Sequence, residues 1–261
     1  MKAVIDGDVF AYQAACVAEK DPKKQVIDFG EVVVPRGDRA DPRLVLLNSL
    51  SWIKRLPKIS GLIIALSSED GSNFRKEIHP GYKRERGEKP EAFQDMIDIM
   101  LRDYKCYRFP RLEGDDVMGL LMTGTQGHNY VGITSDKDIY TLPGTAMRLN
   151  HDRTFRKSSV LQADKFWMTQ TITGDTVDGY KGAPGAGPAR AAKAFEGINS
   201  LRGMWDAVLH VYADQFDHKR WGKEFVTKRA YDEALMNARC ARILRHGDYD
   251  HKTGEVKLWT P

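Results

Sequence analysis

Three continuous apolar runs constrain the fold most strongly, because an acidic residue soon follows each of them. The runs are AVI before Asp6, GLIIAL before Asp70 and YVGI before Asp136. Short runs that are apolar at every position are typical of strands buried on both faces, as in a parallel sheet covered by helices. In such sheets, ligands bind beyond the carboxyl ends of the strands. We therefore predict an α/β fold in which the acids converge on one edge of the sheet.

Acidic residues occur in five clusters along the chain. So many carboxylates in one cleft would repel one another unless cations lay among them, and hard divalent cations prefer oxygen ligands. We predict a magnesium site with two ions, and Mn²⁺ as an alternative cation. The nine candidate ligands are Asp6, Asp70, Glu113, Asp115, Asp116, Asp136, Asp138, Asp175 and Asp178.

Two of these clusters have a predicted local structure. In EGDDVMGLLM, the three acids stand in the first turn of a helix, where they complement the helix dipole. In SDKD, alternation along a strand end would place Asp136 and Asp138 on the same side, directed at one ion. Both motifs are expected to contribute to the same cleft.

The distribution of charge suggests a basic surface around this cleft. The 40 Lys and Arg residues exceed the 36 Asp and Glu residues by only four. Nine of those 36 acids belong to the clusters, so the rest of the chain has 13 more basic than acidic residues. Charge alone favours an ordinary mixed surface, but the positions of the acids favour a nuclease, whose surface attracts phosphates.

Other compositional features exclude several classes of protein. Three cysteines at wide spacing, without a CxxC motif, predict neither a disulfide framework nor a zinc site. The chain opens on a short strand and an acidic turn instead of a signal peptide, and no apolar run approaches membrane-spanning length. We expect a cytoplasmic protein without membrane contact.

The chain is predicted to have two parts. Residues 1–165 alternate strand-like and amphipathic segments, as in a parallel α/β domain, whereas residues 166–261 are mainly helical until about residue 245. Residues 21–43 are expected to form a hairpin or a mobile excursion. Gly247 is the predicted helix terminator, and DYDHKTGEVKLW is expected to form a small hairpin.

Segment 44–56 is predicted to be a helix that packs on the core through four apolar residues. They are Leu44, Leu47, Ile53 and Leu56.

The most basic stretch is HPGYKRERGEKPE, residues 79–91, bounded by Pro80 and Pro90. Its charge and its helix-breaking residues predict an exposed, mobile element beside the active site.

A glycine-rich motif, GDTVDGYKGAPGAGPARAAKAF, spans residues 174–195. Gly182, Gly185 and Gly187 permit a tight turn, and Pro188 suits the first position of a following helix. Free backbone N–H groups at that helix start would bind a phosphate without reading any base, as in a helix-hairpin-helix duplex anchor. The basic residues that would add charge there are Arg190 and Lys193.

Together these motifs resemble those of the flap endonuclease superfamily, and most closely the small 5′-3′ exonucleases of T-odd bacteriophages. The resemblance spans nearly the whole chain and rests on VIDGD, NFRKEIHPGYKRER, EGDDVMG, SDKD, GDTVDGYKGAPGAG and ARILRHGDYDHKTGEVKLW. It implies a PIN-like (resolvase-like) nuclease domain over residues 1–165, with a helical arch near residues 79–104. Residues 166–261 would form a helix-hairpin-helix (helix-three-turn-helix) domain that binds duplex DNA.

The resemblance also implies two sets of metal ligands. Only four residues separate Asp70 from Arg75, fewer than in the bacterial polymerase-linked members of the family, which leaves Glu69 as an alternative to Asp70. Asp8 stands where many relatives have Asn or Thr, and is left as an auxiliary ligand. First-metal ligands would be Asp6, Asp70, Glu113, Asp115 and Asp116. Second-metal ligands, some acting through water, would be Asp136, Asp138, Asp175 and Asp178.

In the family's arch, Tyr82, Lys83 and Arg86 would stack on or grip the 5′ strand near the scissile phosphate. Arg75 and Arg84 would contact DNA, and K⁺ would bind at the helix-hairpin-helix turn. The implied mechanism is two-metal hydrolysis of a phosphodiester.

The implied function is 5′-3′ exonuclease activity in phage DNA replication, primer removal or DNA degradation. Implied substrates are DNA duplexes with a 5′ end, nick or flap; flap endonuclease and RNase H-type activity on RNA–DNA hybrids remain open. We expect a monomer in the host cytoplasm. Two alternatives remain: an aspartyl-phosphate phosphatase of the haloacid dehalogenase type, with Asp6 as nucleophile and Asp8 as general acid, and a catalytically inactive, structure-specific DNA-binding module.

Overall fold

The computed structural model describes residues 1–17, 28–29, 32–33, 41–149, 153–214 and 222–261. Its central feature is a six-stranded sheet with the strand order β5-β4-β1-β6-β7-β8. All neighbouring strands are parallel except the antiparallel pair β7 and β8. The strands are β1 Lys2–Asp6, β4 Gly61–Leu66, β5 Cys106–Arg108, β6 Tyr130–Thr134, β7 Gly144–Arg148 and β8 Arg156–Ser158.

Helices cover both faces of this sheet. Because side chains alternate along a strand, Ala3 and Ile5 of β1 enter one core and Val4 enters the other. The first core contains residues of α1, α2 and α4, and the second contains residues of α5. These helices and the short α3 are α1 Gly7–Cys16, α2 Pro42–Arg55, α3 Phe74–Ile78, α4 Phe93–Asp103 and α5 Gly114–Thr123. The predicted α/β fold with a mainly parallel sheet is confirmed.

The second part of the chain is mainly helical, as predicted. Its core includes the buried Trp167, Trp205 and Tyr212. The predicted boundary at residue 165 lies inside the first of these helices. The helices are α6 Val160–Thr173, α7 Pro188–Ala194, α8 Leu201–Ala213 and α9 Lys223–Ala241.

Two antiparallel pairs of short strands lie outside the main sheet. The predicted C-terminal hairpin is confirmed as β9 Tyr249–Asp250 and β10 Glu255–Val256. Within the predicted excursion, β2 Asp28–Phe29 pairs with β3 Val32–Val33, and most other residues of 21–43 lie outside the described residues.

Two local predictions were wrong. Helix α2 forms, and Ile53 and Leu56 pack on the core as predicted. Leu44 is 59 % exposed and Leu47 is also exposed, because the buried stripe runs through Val45, Leu46, Leu50 and Ile53. Helix α9 ends at Ala241 instead of Gly247. The residues that follow bond to two buried side chains: the Arg242 carbonyl accepts from Arg75, and the Leu244 amide donates to Asp116.

The three cysteines are free, as predicted. None of the helices in the described ranges is both long and apolar enough to span a membrane.

Candidate active site

The site forms at the carboxyl ends of β1, β4 and β6. Asp6 is the last residue of β1 and caps α1, because its Oδ1 accepts a hydrogen bond from the Val9 amide at 3.2 Å. Its Oδ2 accepts one from the Thr134 hydroxyl at the end of β6 at 3.3 Å. Asp8, in the first turn of α1, accepts a bond from the Ser67 amide just beyond β4 at 2.7 Å. The parallel sheet thus brings Asp6 and Asp8 together at the edge formed by the carboxyl ends of its strands.

Helix α5 begins directly against these two carboxylates. A Cβ atom at Gly114 would lie 2.9 Å from Oδ2 of Asp8 and 3.3 Å from Oδ1 of Asp6. Glycine at this position therefore permits the close approach of the EGDD motif to β1. Burial, then the charge of Asp8 and later that of Asp136, raise the pKa of Asp6 to about 7.

The N-terminus of α5 carries a compact group of acids. Carboxylate oxygens of Glu113, Asp115 and Asp116 lie within 4.8 Å of one another. Oδ1 of Asp115 is shielded from solvent and accepts no hydrogen bond from the described part of the chain. Burial, followed by the charges of Asp116 and Glu113, raises the pKa of Asp115 well above its ordinary value. A shielded carboxylate oxygen without a donor fits a bound cation, so this residue suits a divalent metal ion.

Glu113 differs because cations and donors already surround it. Its carboxylate pairs with the Lys83 ammonium, accepts a hydrogen bond from Tyr82 at 2.9 Å and pairs with Arg75 at 3.1 Å. Burial alone would raise the pKa of Glu113, but Lys83 and Arg75 more than offset that effect and lower it to about 2.

The basic segment packs on the acids through its first half. The Lys83 amide donates to the Asp178 carbonyl at 2.9 Å, and the His79 Nε2–H donates to the Gly179 carbonyl at 3.0 Å. Tyr82 is 2 % exposed, and its hydroxyl also lies 3.2 Å from the Asp178 carboxylate. These contacts correct the prediction of an exposed element for the first half of the segment.

One expectation about the arch is wrong. Residues 79–92, which the structure describes throughout, form turns and irregular chain, and the helical part of the predicted stretch is α4. The Tyr82 ring, 6.5 Å from that of Tyr180, is buried and cannot stack on a nucleotide in this conformation. Arg86 is exposed and pairs with Asp178 at 2.8 Å, and Arg84 is exposed.

A second group of acids follows β6. Asp138 is half-buried, and burial followed by the charge of Asp136 raises its pKa to about 7. Its neighbour Asp175 pairs with Lys137 at 2.8 Å; burial alone would raise the pKa of Asp175, but this pair lowers it. Gln170 of α6 donates to Asp138 at 2.6 Å. This group joins the end of β6 to the loop that follows α6.

Strand alternation does not explain the position of Asp138. Strand β6 ends at Thr134, and Asp136 caps a 3₁₀ helix, Lys137–Thr141, by accepting the Asp138 amide at 2.9 Å. The two acids nevertheless lie close enough for the charge of one to shift the pKa of the other. Two partners of these acids were missed by sequence reasoning. Lys137, the partner of Asp175, stands inside SDKD and could have been found, whereas the sequence offers no signal for Gln170, the partner of Asp138.

Asp70 is not brought into the buried group. It is exposed, and its Oδ1 accepts hydrogen bonds from the Ser68 hydroxyl at 2.6 Å and the Ser72 amide at 2.9 Å. These bonds lower the pKa of Asp70 to about 2 and close a local turn. Glu69 is exposed as well, so neither residue joins the buried acids. Asp8, expected only as an auxiliary ligand, lies beside Asp6 instead.

Arg75 cannot contact DNA as predicted. The residue is 1 % exposed, and its guanidinium is paired with the fully buried Asp116 through two bonds of 2.6 and 2.7 Å. Asp116 therefore already has a strong partner, unlike Asp115.

The glycine-rich turn separates into a buried and an exposed part. Gly182 has φ +69° and is buried, and a Cβ there would lie 2.3 Å from the Gly174 amide nitrogen, so its role is packing rather than DNA contact. Gly185, with φ +67°, and Gly187 are exposed, and a Cβ atom at either position would have no atom of the described chain within 4 Å. Pro188 is the first residue of α7, as predicted. The basic residues beside the turn are the partly exposed Arg190, which pairs with Asp214 at 3.1 Å, and the exposed Lys193.

Comparison with known proteins agrees with this arrangement. Residues 3–169 match the family described as 5′-3′ exonuclease, N-terminal resolvase-like domain. The exodeoxyribonuclease of Enterobacteria phage T3 is 29 % identical over 99 % of this chain and 92 % of its own length. The exonuclease of Escherichia phage T7 is 29 % identical over 99 % of this chain and 93 % of its own length.

The fold resembles that of the T5 D15 protein, which was crystallised with metal ions. That structure has a TM-score of 0.61 and 14 % identity, covering 90 % of this chain and 87 % of the T5 chain. The sheet is mainly parallel, and acids collect at the carboxyl ends of its strands. Together with the match over residues 3–169, these features show that the chain belongs to the 5′-3′ exonuclease family.

Proposed function

We propose that the protein is a divalent-metal-dependent exodeoxyribonuclease that hydrolyses phosphodiester bonds from the 5′ ends of DNA. The observation that carries this proposal is the shielded Asp115 oxygen, which has no hydrogen-bond donor among the described residues and lies among other acids. The full-length phage relatives support the direction of the reaction and DNA as substrate, and a place of action in the cytoplasm of an infected host.

We infer two neighbouring cation sites among the described acids. Mg²⁺ is the expected ion because all candidate ligands are carboxylates, and Mn²⁺ accepts the same ligands. When bound, two such ions lower the pKa of the attacking water and stabilise charge on the leaving oxygen. The first site would be held by Asp6, Asp8, Glu113 and Asp115, and the second by Asp136, Asp138, Asp175 and Asp178.

The surrounding residues would orient the substrate and the acids. Tyr82 holds Glu113 and Asp178 through its hydroxyl, and Lys83 lies between the same two carboxylates. An ammonium group at this position can approach a phosphate held at the acids and offset the charge that develops during hydrolysis. Arg86, which is more exposed, would bind the strand that enters the site.

The exposed turn at Gly185 and Gly187 would bind the duplex backbone. The space that a Cβ would occupy at either glycine is free of described atoms to a distance of 4 Å, so a phosphate can approach the chain closely. K⁺ at this turn stays a prediction, which the K⁺ dependence of duplex binding would test.

Two other functions are less well supported. Membership of the exonuclease family contradicts the aspartyl-phosphate phosphatase alternative. Asp6 also has both oxygens in hydrogen bonds and a raised pKa, which would make it a poor nucleophile. The inactive DNA-binding module differs from our proposal in one measurable respect, the absence of cleavage.

The decisive experiment is a cleavage assay with Asp115→Asn and Asp70→Asn as a matched pair. Duplex, nicked, flap and RNA–DNA hybrid substrates, labelled at the 5′ or 3′ end, are incubated with Mg²⁺, Mn²⁺ or a chelator. We expect metal-dependent release from 5′ ends by the wild type and by Asp70→Asn, whose acid lies outside the buried group. Asp115→Asn should bind duplex normally but not cleave it.

The same panel would measure flap and hybrid cleavage. Cleavage by Asp115→Asn at the wild-type rate would refute the proposed metal site, and binding without cleavage by the wild type would support the inactive module.

A further inference from the structure

The Arg75 guanidinium is fully bonded by the protein. A guanidinium has five N–H donors, and five bonds are present. Nε donates to the Cys240 carbonyl at 3.0 Å, and Nη2 donates to the Arg242 carbonyl at 2.6 Å and to Asp116 at 2.7 Å. Nη1 donates to Asp116 at 2.6 Å and to Glu113 at 3.1 Å. Arg75 therefore joins the last turn of α9 and the chain that follows it to the N-terminus of α5.

Asp116 completes this connection from the other side. Its Oδ1 accepts the Leu244 amide at 3.1 Å, and its Oδ2 accepts the Glu113 amide at 3.2 Å, in addition to the two bonds from Arg75. Each oxygen accepts two hydrogen bonds, so both carboxylate oxygens are saturated. A cation could use Asp116 only if one of these bonds broke.

The contact continues one turn along α5. A Cβ atom at Gly119 would lie 2.1 Å from the Leu244 carbonyl oxygen, so the backbone of the C-terminal segment touches the helix. Ile243 and Leu244 are buried in the same core as Val117. The position of the α5 N-terminus thus depends on residues 240–244.

We propose that Arg75 and Asp116 are positioning residues, and that Asp116 is not a metal ligand. They fix the start of α5 against residues 240–244, and thereby hold Glu113 and Asp115 in the arrangement that binds the cation. This inference rests on the proposed metal-dependent function.

Arg75→Met provides a test in which two explanations predict opposite signs. If Arg75 acts only as a charge, its removal lowers the positive potential beside the acids and should tighten cation binding. If it acts by positioning, its removal should weaken Mn²⁺ binding about tenfold, as is common when a residue behind a metal ligand is lost. Isothermal titration calorimetry with Mn²⁺ in the absence of DNA measures this directly.

Arg86→Met is the matched control. It also removes a cation paired with an acid of the site, but Arg86 is exposed, and its ion pair is with Asp178 instead of the C-terminal segment. We expect Mn²⁺ affinity to stay equal or to rise in this variant. Circular dichroism tests whether each variant is folded. If Arg75→Met does not fold, Arg75→Lys, which keeps the charge, is titrated instead; weaker Mn²⁺ binding than in the wild type is again expected, and equal or tighter binding would overturn the inference.

A second readout separates positioning from DNA binding. The Mg²⁺ concentration for half-maximal cleavage should rise in Arg75→Met while KM for duplex DNA at saturating Mg²⁺ stays within about twofold. Mn²⁺ binding by Arg75→Met as tight as wild type, or tighter, would overturn the inference. If the wild type itself bound no divalent cation, the proposed function would fail instead.

Discussion

Replacement of Asp6 by Asn should stabilise the metal-free protein in a pH-dependent manner. Burial, the charge of Asp8 and that of Asp136 raise the pKa of Asp6 from 3.8 to about 7. At roughly 1.4 kcal/mol for each pKa unit, this difference corresponds to at most about 4 kcal/mol of unfolding free energy. The protonated form is thus favoured in the folded protein, and its stabilising contribution is complete below pH 3.8 and lost as pH rises to about 7.

The asparagine side chain keeps the shape and both contacts of the protonated acid. Its oxygen can accept the Val9 amide, and its amide can donate to the Thr134 hydroxyl. The advantage of Asp6→Asn over wild type should therefore be small at pH 4 and reach about 2 to 4 kcal/mol above pH 7. The lower figure allows for relaxation of the neighbouring acids.

Urea denaturation in chelator, at intervals from pH 4 to pH 8.5, measures this difference. Asp41→Asn is the control, because Asp41 is an exposed cap of α2 that bonds the Arg43 amide at 2.9 Å, and Asn caps equally well. Saturating Mg²⁺ should make the wild type more stable than Asp6→Asn, because only the wild type retains the full set of metal ligands. A difference that stays constant from pH 4 to pH 8, or a wild type more stable than the variant at pH 8, would refute the reasoning.

Three further substitutions test the remaining parts of the site. Lys83→Ala should lower single-turnover cleavage about a hundredfold with little change in affinity, because its contact forms mainly with transition-state charge; an unchanged rate would limit Lys83 to its ion pairs with Glu113 and Asp178. Gly185→Val should weaken duplex binding, measured by fluorescence anisotropy, but spare cleavage of a short single-stranded oligonucleotide. Undiminished duplex affinity would make that turn an ordinary helix connection. Gly182→Val should instead lower the melting temperature, because its Cβ would overlap the backbone at Gly174, and an unchanged Tm would contradict that packing role.

The sequence by itself determined the sheet and the edge at which the acids collect. Apolar runs ending near Asp6 and Asp136 become buried parallel strands, and the carboxyl ends of parallel strands share one edge. The turn at Gly185 and the helix beginning at Pro188 were also predictable, because φ freedom in glycine and fixed φ in proline are local properties.

Only the tertiary structure decided which charged residues serve the site. Asp70 and Asp8 both stand shortly after a strand, but local serines bond Asp70 at the surface, whereas Asp8 lies against Gly114 of a distant helix. Arg75 stands just before the basic stretch and is nonetheless buried, because backbone carbonyls more than 160 residues away accept hydrogen bonds from its guanidinium.

Tyr82 illustrates the same physical limit. Its motif predicts an exposed ring for stacking, but its hydroxyl lies within hydrogen-bonding distance of the Glu113 and Asp178 carboxylates and its ring is buried. Hydrophobic periodicity and turn chemistry depend on neighbours within a few residues, so they can be read from the sequence. The role of a polar side chain depends on which partners compensate its burial, and only the folded chain brings those partners together.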